Sequence, residues 1–158
     1  MIEYNPIGII RSPFVNPKGM PIQPPGANGV QGTVEIDEEY RAALKDLDGF
    51  SHIILLYHFH RSQGFVPHVV PFMDSQPRGL FSTRAPRRPN AIGLSVVRLK
   101  RIEEGVLFIE NVDVLDQTPL LDIKPCVPEF DAPTNVQVGW LEQVKNRVSQ
   151  QEADERFK

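Results

Sequence analysis

Three arginines, Arg84, Arg87 and Arg88, crowd one short stretch of the chain. Each guanidinium is a planar fork that fits a carboxylate or a phosphate. Pro86 and Pro89 stand among them; each fixes its own φ and pushes the preceding Ala85 or Arg88 toward extended backbone, so the loop is stiff and its cations are held in place. This predicts anion recognition, with ion pairing across a subunit contact as the other use of such a loop. His52, His58 and His60 form a second group. His58 and His60 share a side of a strand pattern, but no cysteine pair or His-Glu-x-x-His spacing accompanies them, so they read as hydrogen-bonded residues near a strand end and no metal is expected. The third group is Asp116-Gln117-Thr118-Pro119, a polar turn in which Asp116 and Thr118 can bond nearby backbone and Pro119 fixes the exit. Asp122 and Lys124 follow on one face of the next strand and read as a pair with each other. No Ser-His-Asp order, nucleophile elbow or Walker loop is present, which sets aside covalent hydrolases and NTPases.

The elements that must position these groups read as strands. Phe50 to Phe59, with Ile53-Ile54-Leu55-Leu56 at its heart, carries the strongest β signal and reads as the central strand. Tyr4 to Arg11 alternates and stops at Ser12-Pro13; Thr33 to Ile36 is strand-like; Asp37 is placed to cap a short helix through Leu44. Leu80 to Thr83 reads as a strand feeding the arginine loop. Gly93 to Ile102 reads as a hairpin with Val106 to Val112 through Glu103-Glu104-Gly105, and Leu115 to Pro125 brings the last strand. The glycines and prolines between residues 17 and 32 mark a long loop of the kind that is functional or mobile. Fifteen prolines and eleven glycines favour short strands and fixed turns over a helical bundle. The expected fold is all-β: a small closed barrel of seven or eight strands with long loops and one or two short helices, which disposes of the sheet edges.

At 158 residues the chain has room for one core, read as a barrel domain over 1–138 followed by a polar tail over 139–158 with a weak helical stripe of Leu141, Val144 and Val148. The lone Cys126 has no internal disulfide partner, the N-terminus lacks a signal-peptide pattern, and no apolar run has bilayer length, so a cytoplasmic protein without membrane contact is expected. A net charge of −3 argues against a general nucleic-acid coat and leaves room for a local basic patch, from the arginine loop and from Lys100-Arg101.

Four ordered motifs carry a family resemblance: Leu47-Asp-Gly-Phe-Ser-His52 with Phe59-His60; Thr83-Arg84 with Arg88-Pro-Asn-Ala-Ile-Gly93; Asp116-Gln-Thr-Pro119; and Asp122-Ile-Lys-Pro125. Between about Ile7 and Pro125 the chain resembles the TsaA-like proteins, the TrmO/YaeB type of tRNA methyltransferase. The resemblance implies an S-adenosylmethionine-binding β-barrel, typically homodimeric, that methylates N6 of threonylcarbamoyladenosine beside the anticodon of tRNA. It also implies cofactor contacts at Ile22, Gln23, Pro24, His60, Arg61, Arg84, Leu94, Asp116, Gln117, Thr118 and Pro119, with Arg87 and Arg88 reaching RNA. His60 and Asp116 are the candidate proton acceptors. The sequence departs from the family pattern at Ala91 and Cys126, where proline and tyrosine are usual, and the second domain of the longer bacterial members is expected to be missing. The alternatives are a cofactor-binding protein without catalysis, and a methyltransferase acting on a small molecule or another RNA.

Overall fold

The computed structural model describes residues 1–17, 27–72 and 74–145. The described residues form eight strands: β1 (Gly8–Arg11), β2 (Gln31–Ile36), β3 (His52–His58), β4 (His68–Val69), β5 (Arg78–Gly79), β6 (Ile92–Glu103), β7 (Val106–Glu110) and β8 (Thr118–Pro125). Six of them close an antiparallel barrel in the order β1-β2-β7-β6-β3-β8, and β4 and β5 make a separate two-stranded sheet. The barrel is therefore smaller than the seven or eight strands expected, because the segment between β3 and β6 leaves it.

Alternation builds the barrel's interior. Along β3, Ile53, Leu55 and Tyr57 are buried, and Gly93, Ser95, Val97 and Leu99 are their counterparts along β6. Ile10, Val34, Ile36, Leu107, Ile109 and Leu120 complete the core from the other strands. The β6–β7 connection needs only two residues, since Glu104 and Gly105 both take positive φ, 48° and 77°, the backbone of a tight hairpin turn. Gly93 has a different reason to lack a side chain: a Cβ there would lie 2.2 Å from the Tyr57 ring that covers it. The Tyr57 hydroxyl meets Ser95 Oγ at 2.8 Å, and Ser95 donates to Asp113 Oδ1 at 2.6 Å. A buried polar chain thus runs from the barrel's interior to the β7–β8 loop with its members satisfied.

Three local expectations change. The first strand starts at Gly8. The helix over Glu38–Leu44 is 3-10, and Asp37 makes no side-chain cap. Leu80 to Thr83 is no strand: Leu80–Ser82 is a 3-10 turn in which Ser82 and Thr83 hydroxyls donate to the Gly79 and Leu80 carbonyls, the local bonding by which Ser and Thr compete with a ladder.

The chain divides into two compact units, residues 1–65 with 86–126, and residues 66–85 with those from 127 onward. The first holds the barrel. In the second, β4 and β5 pair, Leu80 N–H donates to Pro67 O, and the Asp74 carboxylate, 1% exposed, meets Arg78 Nε at 2.8 Å. That guanidinium lies 5.5 Å from the Trp140 ring centre, and Trp140 Nε1 donates to Ser82 O. A short helix, α1 (Pro128–Asp131), and helical backbone from Leu141 complete its described part.

Candidate functional site

The strand registers send the motif-bearing loops of the barrel unit to one end. Arg11 pairs with Thr33, Thr118 with Ile10, Gln31 with Glu110 and His58 with Ile92. The turn after β1, the exit of β3, the entry of β6 and the β7–β8 loop therefore open at the same mouth. The opposite end holds the Glu104–Gly105 turn and the 3-10 segment over residues 38–44.

At this mouth the first turn and the β7–β8 loop are bound together. Ser12 N–H donates to Asp116 Oδ1 at 3.2 Å, Asp116 N–H donates to Phe14 O at 2.8 Å, and Ser12 Oγ donates to Val114 O. Gln117 takes a positive φ of 65°, which turns the chain so that Thr118 enters β8 buried. The Thr118 hydroxyl donates to Leu115 O at 2.7 Å and stands 3.5 Å from His60 Nδ1. Burial holds the His60 pKa below the usual histidine value, and the charges of His58 and Arg61 lower it further, so a neutral imidazole is favoured. Arg61 Nη1 donates to Val15 O at 2.9 Å.

The β3 exit and the β6 entry are joined in the same way. Phe59 N–H donates to Ala91 O, Ser62 Oγ to Pro86 O, and Arg87 Nε to Gln63 O. Arg87 is exposed and Arg88 half-buried on this tied loop.

The structure thus gathers His60, Arg61, Asp116, Gln117, Thr118 and Pro119, with Arg87 and Arg88, on the loops of one mouth. Leu94 is placed differently: it lies between inward Gly93 and Ser95, with its side chain on the outer wall of β6 opposite Leu56. Arg84 is exposed in the second unit, two residues past the Leu80–Ser82 turn. Ile22, Gln23 and Pro24 lie outside the described residues. Two expected features of the surface turn out to be ion pairs: Asp122 meets Lys124 at 3.0 Å, as the shared face suggested, while Lys100 and Arg101 are engaged by Glu110 and Glu103 at 2.9 Å each and form no open basic patch. Ser12 was missed as a site residue; its only signal was a hydroxyl residue beside a proline at a strand end, which marks any turn.

The donor set suits a ligand that carries both an amino acid and a sugar: a carboxylate (Asp116), an imidazole whose neutral form is favoured (His60), a cation (Arg61) and an exposed Gln117 at the turn. S-adenosylmethionine is such a ligand, and among the described residues no group of three or more His, Cys, Asp or Glu side chains is arranged to hold a metal ion.

Comparison with known proteins agrees in fold and sequence. The model of the tRNA-methyltransferase O N-terminal domain matches residues 9–132. A probable S-adenosyl-L-methionine-binding protein of Pyrococcus abyssi is 53% identical over 99% of this chain and 85% of its own length. The tRNA (adenine(37)-N6)-methyltransferase of Mus musculus is 36% identical over 84% of this chain but only 32% of its own. The crystal structure of TrmO from Pseudomonas aeruginosa superposes with a TM-score of 0.75 at 39% identity, covering 89% of this chain and 62% of that one. The chain thus spans most of the archaeal relative and less than two thirds of the Pseudomonas structure. With three quarters of its residues inside the family model and its barrel superposing on a solved member, the chain belongs to the tRNA-methyltransferase O family, through that family's N-terminal domain.

Proposed function

We propose that this domain binds S-adenosylmethionine at the loop-bearing mouth of the barrel and directs its methyl group to N6 of threonylcarbamoyladenosine beside the anticodon of tRNA. The coarse part of this reading, S-adenosylmethionine-dependent methyl transfer in tRNA modification, follows from the family. The observation that carries the site is the convergence of His60, Arg61 and Asp116 to Pro119 on one mouth. Asp116, Gln117, Thr118, Pro119, His60 and Arg61 would hold the cofactor.

When bound, the cofactor supplies a methyl group already activated on a sulfonium. Orientation then does most of the work, and the residues act mainly by position. The urea-like N6 of the acceptor is a poor nucleophile that gains from loss of its proton. The His60 ring is the proposed acceptor, because partial burial and the charges of His58 and Arg61 favour its neutral form; Asp116 is the other candidate. Arg87 and Arg88 are suited to phosphate, which places and orders an RNA without reading its sequence. The protein would work in the cytoplasm as a symmetric homodimer; exposed Ile92 and Leu94 beside half-buried Ile54, Leu56 and Val96 on the outer wall support that assembly.

The test is transfer of radiolabelled methyl from S-adenosylmethionine to total tRNA from cells able and unable to make threonylcarbamoyladenosine. Label in the first alone is expected. Label in both points to another RNA target, and no label despite measured cofactor binding leaves a binding protein without this catalysis, the function in the Pyrococcus relative's name.

A further inference from the structure

We infer that Ser12 is a positioning residue for Asp116, setting the cofactor affinity of the β7–β8 turn from the exit of the neighbouring strand β1. The inference rests on the proposed cofactor contact at Asp116.

Ser12 is the first residue after β1, and β1 is paired with both β2 and β8, so its backbone starts from a fixed point. Its three bonds all serve the adjoining turns. The hydroxyl donates to Val114 O and accepts from Phe14 N–H at 3.2 Å, and its own N–H donates to Asp116 Oδ1 at 3.2 Å. Phe14, turned back by that hydroxyl, presents the carbonyl that takes Asp116 N–H at 2.8 Å. Asp116 is thereby held at its amide and at one carboxylate oxygen by a strap of three residues, and one oxygen of its carboxylate is committed to the protein. A carboxylate fixed before a ligand arrives loses less freedom on binding.

The hydroxyl is the part the strap requires. Alanine would leave the Val114 carbonyl and the Phe14 N–H without their present partner. Threonine keeps the oxygen, and valine matches threonine in size without it. None of this asks Ser12 to touch the cofactor, so its effect must run through Asp116.

The test measures S-adenosylmethionine binding by calorimetry for S12A, S12T, S12V, D116A and S12A/D116A, with thermal melting of each. Loss of a group that orders a polar ligand contact costs affinity about tenfold, and that loss is expected for S12A and S12V, while S12T binds as the parent does. The double variant should bind no more weakly than D116A, because residues acting through one another are not additive. Equal affinity of S12T and S12V, or full additivity of S12A with D116A, overturns the inference. Unchanged binding by D116A would instead remove Asp116 from the cofactor site, and the role of Ser12 with it, a result distinguishable from the others because it appears in the single D116A variant. Should S12A fail to fold, the S12T and S12V pair carries the test unaided.

Discussion

The two ends of the barrel close in different ways. At the end opposite the site, backbone bonds to backbone: Ile36 N–H donates to Gly105 O and Asp37 N–H to Ile7 O, each at 2.9 Å. Tyr40, Leu44 and Leu47 pack against the core there, and Arg41 Nε caps the Ile36 carbonyl at 3.1 Å. At the site end, side chains add to backbone bonds such as those from Asp116 N–H to Phe14 O and from Phe59 N–H to Ala91 O. Ser12, Asp116, Arg61, Ser62 and Arg87 each bond to a neighbouring loop. A two-residue turn satisfies its own backbone; in the longer connections, residues 12–15 and 59–63 turn amides and carbonyls to polar side chains. The same polar groups that satisfy the loops are then available to a ligand. One end is built for closure and the other is the end proposed for recognition, and both draw on one core.

That shared core gives the largest expected effect. Leu55 is fully buried in the middle of β3, so Leu55→Ala removes packing that holds both ends, at a cost of about 2–5 kcal/mol in urea unfolding. A loss below about 1 kcal/mol would mean that the barrel collapses around the gap and that the ends are held independently. A smaller and more selective effect is expected at the closed end. Gly105 has φ of 77° and lies against the Arg41 side chain, so Gly105→Ala should cost about 1–2 kcal/mol of stability through a left-handed alanine, with cofactor affinity unchanged. If affinity fell with stability, the division between a closing end and a recognising end would not hold.

How much of this was legible in the sequence follows the same division. The β3 core, the Glu104–Gly105 hairpin and the all-β class were readable because alternation and turn chemistry are local signals. The circular order was not: β3 lies between β6 and β8 and β1 between β2 and β8, pairings between distant segments that no periodicity encodes. The Leu80 to Thr83 error has a similar cause, for a short apolar run lacks the information to say whether a partner strand exists. At the proposed site, Asp116 to Pro119 and the arginine loop were singled out from their residue patterns, and Pro86 and Pro89 gave a physical reason for stiffness. Ser12 and the Ser95–Asp113 bond were invisible, since their meaning lies in contacts across the fold, at sequence separations of 104 and 18.

The smallest expected effect is a pH dependence confined to the recognising end. His60 has a lowered pKa, first because it is partly desolvated and then because His58 and Arg61 add positive charge nearby. The folded state therefore resists a proton that the unfolded chain accepts near pH 6.5. The sign follows from linkage: the contribution to stability is fully present above the unfolded value and is lost as pH falls through the folded one. Asp74, in the second unit, is lowered to about 2 mainly by its hydrogen bond from Arg78, so its contribution fades only in strong acid and cannot be confused with that of His60. Comparing the parent with His60→Gln by thermal melting at pH 7.5 and 5.5 isolates the histidine, and the parent should lose more stability on acidification. His58→Gln should raise the His60 midpoint in an NMR titration without bringing it fully to 6.5, since burial is the larger cause. Full recovery would make the neighbouring charge the dominant influence. An unshifted midpoint in the parent would deprive the mouth of its neutral base and leave Asp116 as the proton acceptor.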